Sequence, residues 1–142
     1  MKKLISYIFI LIVVFSCSKK ENNTSTFARK MQVFDKISKD SLGILSTPTY
    51  YYLDTVRVDT IKTQLKIKNV SKNIIKGFTI EPTCGCTIIT KKVDEVLLPY
   101  KDYNVSLKID LSDTKGYFTK SIIIYGSFYP FYRNIVIEGY KK

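Results

Sequence analysis

Residues 60–69 read Thr-Ile-Lys-Thr-Gln-Leu-Lys-Ile-Lys-Asn. Ile61, Thr63, Leu65 and Ile67 alternate with Lys62, Gln64, Lys66 and Lys68. Successive side chains of an extended chain point to opposite faces, so this period of two describes a strand with one face on a core and the other in water. The period recurs further along. Tyr103, Val105, Leu107 and Ile109 form the inward set of 103–110, and strands are also expected at 117–125 and 133–140. Ile74–Ile80 and Cys86–Thr90 read as two shorter strands, the second beginning at a pair of thiols, and the stretch from Tyr50 supplies another. Turn residues cluster at 69–73 (Asn-Val-Ser-Lys-Asn) and 112–116 (Ser-Asp-Thr-Lys-Gly). Without a convincing helix between the strands, the pattern gives an all-β fold: an antiparallel β-sandwich of about seven strands over residues 50–142.

Composition narrows the function. The length of 142 residues suits one domain with its own core. Lys and Arg number 23 against 12 Asp and Glu, a balance that raises the question of an anionic partner. The lysines, however, are scattered over alternating polar positions and form no run beyond pairs such as Lys91-Lys92. That is a solvated sheet face, and nucleic acid is not an expected partner. There is no histidine, which removes the commonest general base, the commonest metal ligand and every Ser-His or Cys-His arrangement. The carboxylates mostly fall beside strand ends and turns, where short polar side chains satisfy backbone groups, and no pair announces an acid and a base. The chain is therefore expected to be no enzyme and to carry no catalytic residue, cofactor or metal.

The first residues read as an address. Lys2 and Lys3 precede an apolar run from Leu4 to Phe15, about 18 Å as a helix against the ~30 Å needed to cross hydrocarbon. A basic start, a run of this length and the small Ser16 form the pattern of a secretory signal peptide over 1–16. The segment Val13-Val-Phe-Ser-Cys17 resembles the lipobox of bacterial lipoproteins, which implies that Cys17 becomes an acylated N-terminus bearing chains such as palmitate. Residues 17–49 then form a lipid-anchored tether to a membrane. Within it, Phe27, Met31, Phe34 and Ile37 fall near helical spacing, so 26–38 is a candidate short helix, either meeting a membrane or partner or packed on the domain.

A strand ending in Asn69, Thr83-Cys-Gly-Cys-Thr87, Pro99 in a turn, a Gly116-Tyr-Phe strand and the final Ile135-Val-Ile-Glu-Gly-Tyr140 together resemble the bacterial Ig-like family called domain of unknown function 1573. The resemblance covers about residues 50–140 and implies an exported, often lipid-anchored Ig-like domain without an established activity. This chain departs from the family pattern twice: Leu53-Asp54 stands where the family usually has Phe-Gly, and Pro99-Tyr100 where it usually has Pro-Gly.

With Cys17 acylated, Cys84 and Cys86 remain as a lone pair in an oxidising compartment. In a strand their Cα atoms would stand about 6.6 Å apart, near the outer limit for a disulfide, and Gly85 is expected to bend the backbone and bring the sulfurs together. Cys84, Gly85 and Cys86 are thus a structural or redox motif. Thiol exchange would need an activated thiolate, with Lys91 and Lys92 as nearby activators. Copper(I) suits soft thiolates, but only two are present, and zinc would require a second chain. The triplets at Asp40, Asp54 and Asp59, each followed by Ser or Thr and an aliphatic residue, resemble an O-glycosylation sequon of some Gram-negative bacteria. The reading is a lipid-anchored binding or assembly module of the bacterial cell envelope, on the periplasmic side, with an unidentified envelope protein as partner. The alternative is a periplasmic thiol-redox or soft-metal accessory protein.

Overall fold

The structure, a computed structural model, describes residues 31–34, 36–91, 93 and 95–142. The signal segment 1–16, Cys17 and the tether up to residue 30 lie outside the described residues.

Among the described residues eight strands follow one another: β1 (Leu45–Ser46), β2 (Tyr50–Val56), β3 (Thr60–Asn69), β4 (Thr79–Pro82), β5 (Thr87–Lys91), β6 (Asp102–Asp110), β7 (Gly116–Tyr125) and β8 (Tyr132–Lys141). They form two four-stranded sheets, β1-β3-β6-β5 and β2-β8-β7-β4. Alternation builds the core as expected. Leu65 and Ile67 of β3 and Val105, Leu107 and Ile109 of β6 are buried from one sheet; Ile122 and Ile124 of β7 and Ile135 and Ile137 of β8 meet them from the other. Every pairing between strands is antiparallel except one, β2 alongside β8. The chain pairs β1 with β3, crosses at Thr47-Pro48-Thr49 to the opposite sheet, and so enters β2 in the same direction as β8.

Three boundaries differ from the sequence reading. The stretch 74–80 is not one strand. Ile75 makes a single bridge to Leu97, Gly77 takes φ 61°, and the strand proper starts at Thr79. Ile75 and Phe78, three positions apart, are both buried, which an unbroken strand would forbid because its faces alternate. The next strand begins at Thr87, so the cysteines lie in a turn and not in a strand. The sandwich also starts before Tyr50: Leu42 and Leu45 are buried, and Leu45 pairs with Asn69. Of the expected helix, residues 31–34 are helical and Phe34 is buried, its ring stacked on Phe131 at 6.0 Å.

Asn69, where β3 ends, is fully buried and hydrogen-bonds at both ends of its side chain. Nδ2 donates to the carbonyls of Asn73 (2.8 Å) and Leu97 (3.1 Å), and Oδ1 accepts from Ser71 N (3.1 Å) and Oγ (2.7 Å). Asn73 in turn donates to the carbonyls of Asp40 and Leu42, each at 2.8 Å. One turn thereby ties the segment before β1 to the loop before β6, and both polar atoms of the buried Asn69 side chain keep partners.

Candidate functional site

The thiol pair sits at a corner between the sheets. β4 is an edge of one sheet and β5 an edge of the other, so the residues between them must cross the sandwich. Thr83 holds to the first sheet, its N–H and Oγ1 both donating to the carbonyl of Ser121 at 3.0 Å. The carbonyl of Cys86 holds to the second, accepting from the N–H of Asp110 at 2.7 Å. Between these anchors Cys84 and Cys86 are joined as a disulfide with Cα atoms 5.3 Å apart, inside the usual span for such bonds. Thr87 closes the turn. Its N–H donates to the carbonyl of Cys84 at 3.3 Å, and its buried hydroxyl lies 3.8 Å from the Cys84 sulfur.

Gly85 does not play the part expected of it. Its φ lies outside the left-handed region, it is exposed, and a Cβ built on it would meet nothing within 4 Å. The turn is set by the disulfide and the hydrogen bonds on either side.

Beside Cys86 lies a shallow concavity lined by Asp110, Ser112, Asp113 and Lys120. The N–H and hydroxyl of Ser112 donate to Asp110 Oδ1 at 2.9 and 2.7 Å and hold that carboxyl below its ordinary range. Among the described residues no group of three or more Cys, Asp or Glu side chains is placed to hold a metal ion. The sulfurs bonded to each other are neither nucleophiles nor ligands until reduced. The side chain of Lys91 and the whole of Lys92, the activators considered from sequence, lie outside the described residues. Of the Asp triplets, Ser41 and Thr55 are exposed and Thr60 is half-buried.

The two outer faces of the sandwich differ in kind. That of β1-β3-β6-β5 carries Lys62 opposite Lys108, Lys66 opposite Asn104, and Lys68 opposite Asp102, the last pair 3.5 Å apart. This is the solvated lysine face expected from the alternation. The outer face of β2-β8-β7-β4 has no Lys or Arg at any outward strand position. It presents Tyr50 and Tyr52 from β2, Tyr117 from β7, and Tyr132 and Tyr140 from β8, from 39% to 84% exposed. Sequence reasoning missed this surface. Its signal was there, because tyrosines occupy the outward phase of β7 and β8 where water-facing lysines stand on β3.

A profile of the family described as "Protein of unknown function (DUF1573)" matches residues 46–140. The chain belongs to that family. Among solved structures it is similar to a protein of unknown function from Porphyromonas gingivalis W83 (13% identity, TM-score 0.64, 75% of this chain and 50% of that one). It is also similar to the ASH / PapD-like domain 7 of human CEP192 (11%, 0.56, 75% and 91%). A third match is the secreted serine protease VesC of Vibrio cholerae (15%, 0.56, 69% and 23%). The chain spans half the length of the Porphyromonas protein and a smaller share of the protease, and at these identities the likeness is one of fold. No curated protein sequence matches the chain. The DUF1573 chain is thus an Ig-like sandwich that shares its architecture with PapD-like domains.

Proposed function

We propose that this DUF1573 chain is a non-enzymatic binding or assembly module of the bacterial cell envelope, held at a membrane by acyl chains on Cys17 and facing the periplasm. Its contact surface is the outer face of β2-β8-β7-β4, and the Cys84–Gly85–Cys86 corner braces the fold. The observation that carries this reading is the contrast between the faces: a run of exposed tyrosines without a cation, on a chain whose other face is studded with lysine. Tyrosine supplies large, rigid contact area with a polar tip and is enriched at protein interfaces, whereas lysine is depleted there. The experiment is site-specific photo-crosslinking in living cells, with the probe at Tyr52 and, as control, at Lys66. Adducts from the first position alone are expected; equal labelling or none would refute the surface. Labelled palmitate should enter the wild-type protein and not Cys17→Ala, and uptake by neither would refute the anchor.

The thiol-redox or soft-metal alternative rests on one observation, that both cysteines are half-buried and so partly accessible to a partner. Loss of activity in cells on Cys84→Ser/Cys86→Ser, at unchanged stability, would favour it.

A further inference from the structure

Glu138 stands at the centre of the tyrosine face. Tyr50 donates its hydroxyl to Glu138 Oε2 at 2.8 Å, and Thr119 donates to Oε1 at 3.2 Å. Tyr52 is the β2 partner of Glu138 in the register. Tyr140 lies two residues along β8 on the same face, opposite Tyr117 on β7, and those two rings meet edge to face at 5.0 Å and 76°. The result is one carboxylate, held from two sides and ringed by Tyr50, Tyr52, Tyr117 and Tyr140, which are 53%, 60%, 84% and 39% exposed.

The charge of this arrangement selects what it takes. A carboxylate offers about four lone-pair sites, so two hydroxyl donors orient Glu138 without exhausting it. Aromatic faces carry negative potential and attract cations, guanidinium above all, since its plane also stacks on a ring. No Lys or Arg at an outward strand position of this sheet neutralises Glu138, in a chain where cations outnumber anions 23 to 12. An anionic polymer or headgroup would be drawn to Lys62, Lys66, Lys68 and Lys108 on the opposite face.

Resting on the reading of this face as the contact surface, we infer that the Glu138 cluster receives an arginine side chain from an extended segment of a partner protein. The guanidinium pairs with the carboxylate while its plane lies against the Tyr52 or Tyr140 ring. Arginine fits better than lysine because it supplies a planar donor fork and a stacking surface together.

The test is titration of the full-length protein in detergent micelles with a synthetic Gly-Gly-Arg-Gly-Gly peptide and its citrulline counterpart, which keeps the shape and removes the charge, followed through the tyrosine ring resonances. The arginine peptide should bind at least about tenfold more tightly than the citrulline one and lose that advantage in Glu138→Gln. Tyr52→Ala should weaken it as well, and Lys66→Ala should not. Added salt should weaken binding in the wild type. Circular dichroism melts of all three variants separate lost binding from lost folding. Equal binding of the two peptides, binding by neither, an unchanged affinity in a folded Glu138→Gln, or saturable binding of a neutral oligosaccharide in place of the peptides would each overturn the assignment. Adducts at Tyr52 in cells beside indistinguishable peptides would leave the contact surface standing and remove only arginine.

Discussion

Asp54 and Tyr100, in different parts of the sandwich, share one backbone conformation: both are left-handed, at φ 53° and 58°. Asp54 makes the break in register between Tyr52 and Thr55 on β2, and Tyr100 follows Pro99 in the turn before β6. Both stand where the pattern resembled by the sequence would place glycine. Each adopts a conformation that glycine takes without strain and that other residues rarely do.

Glycine at either position should therefore stabilise the domain. A residue with Cβ in this region costs roughly 1–2 kcal/mol, while an added glycine costs about 0.5–1 kcal/mol in chain entropy. Tyr100→Gly is expected to gain up to about 1 kcal/mol. Asp54→Gly should gain less, because aspartate tolerates the conformation. Urea midpoints measure both, and a loss at Tyr100 would count against the turn as described.

Leu107 is buried on β6, and its neighbour Ser106 points the other way. Leu107→Ala should cost roughly 2–5 kcal/mol and Ser106→Ala little. Equal losses in denaturant unfolding would refute the one-sided register.

At the thiol corner, a Gly85 that bent the backbone, as expected from sequence, would make Gly85→Val worse than replacing both cysteines. The open surroundings of Gly85 reverse that order. Gly85→Val should change stability by about 0.5 kcal/mol, as surface substitutions do. The double Cys84→Ser/Cys86→Ser variant should lose roughly 1–2 kcal/mol, little for a disulfide because the loop it closes is so short. Unfolding curves with and without reductant decide the ranking.

Asn69→Leu keeps the volume but removes four hydrogen bonds; the Leu97 carbonyl keeps the Ile75 N–H and the Asn73 carbonyl keeps Ser71 Oγ, while the Ser71 N–H loses its acceptor. A buried group left without a partner costs roughly 1–3 kcal/mol, so the variant should be clearly destabilised. A thermal midpoint near that of the wild type would show that this turn closes without its pin.

Asp110 sets a dependence on acid. Its folded pKa is lowered, chiefly by the Ser112 N–H and then by its hydroxyl, so the folded state favours the ionised form. The contribution is fully present above the unfolded value near 3.9 and is lost as pH falls through the lower folded value. Asp110→Asn should flatten the fall in stability as pH drops below the unfolded value in urea titrations; an unchanged slope would assign it to other carboxylates.

How much of this was legible depended on whether a residue's neighbours were near in sequence. The faces of β3 and β6 were readable because inward and outward residues alternate within one strand. Ile75 and Phe78 were misread as strand because their burial follows from the Glu95 to Leu97 loop crossing them, with Ile75 bonded to Leu97 and the Phe78 N–H bonded to the Glu95 carbonyl. The parallel placement of β2 had no local sign, since it follows from a strand some 80 residues later. The ring around Glu138 gathers residues from three strands, and only their register brings them together.

That late strand has a consequence for how the chain is made. β8 follows every other strand in sequence order yet lies inside its sheet, between β2 and β7. A chain emerging N-terminus first holds β2 without its neighbour until β8 is free. Completion of that sheet waits for a pairing far apart in sequence, and a deletion of β8 removes an inner strand and leaves β2 with nothing to join.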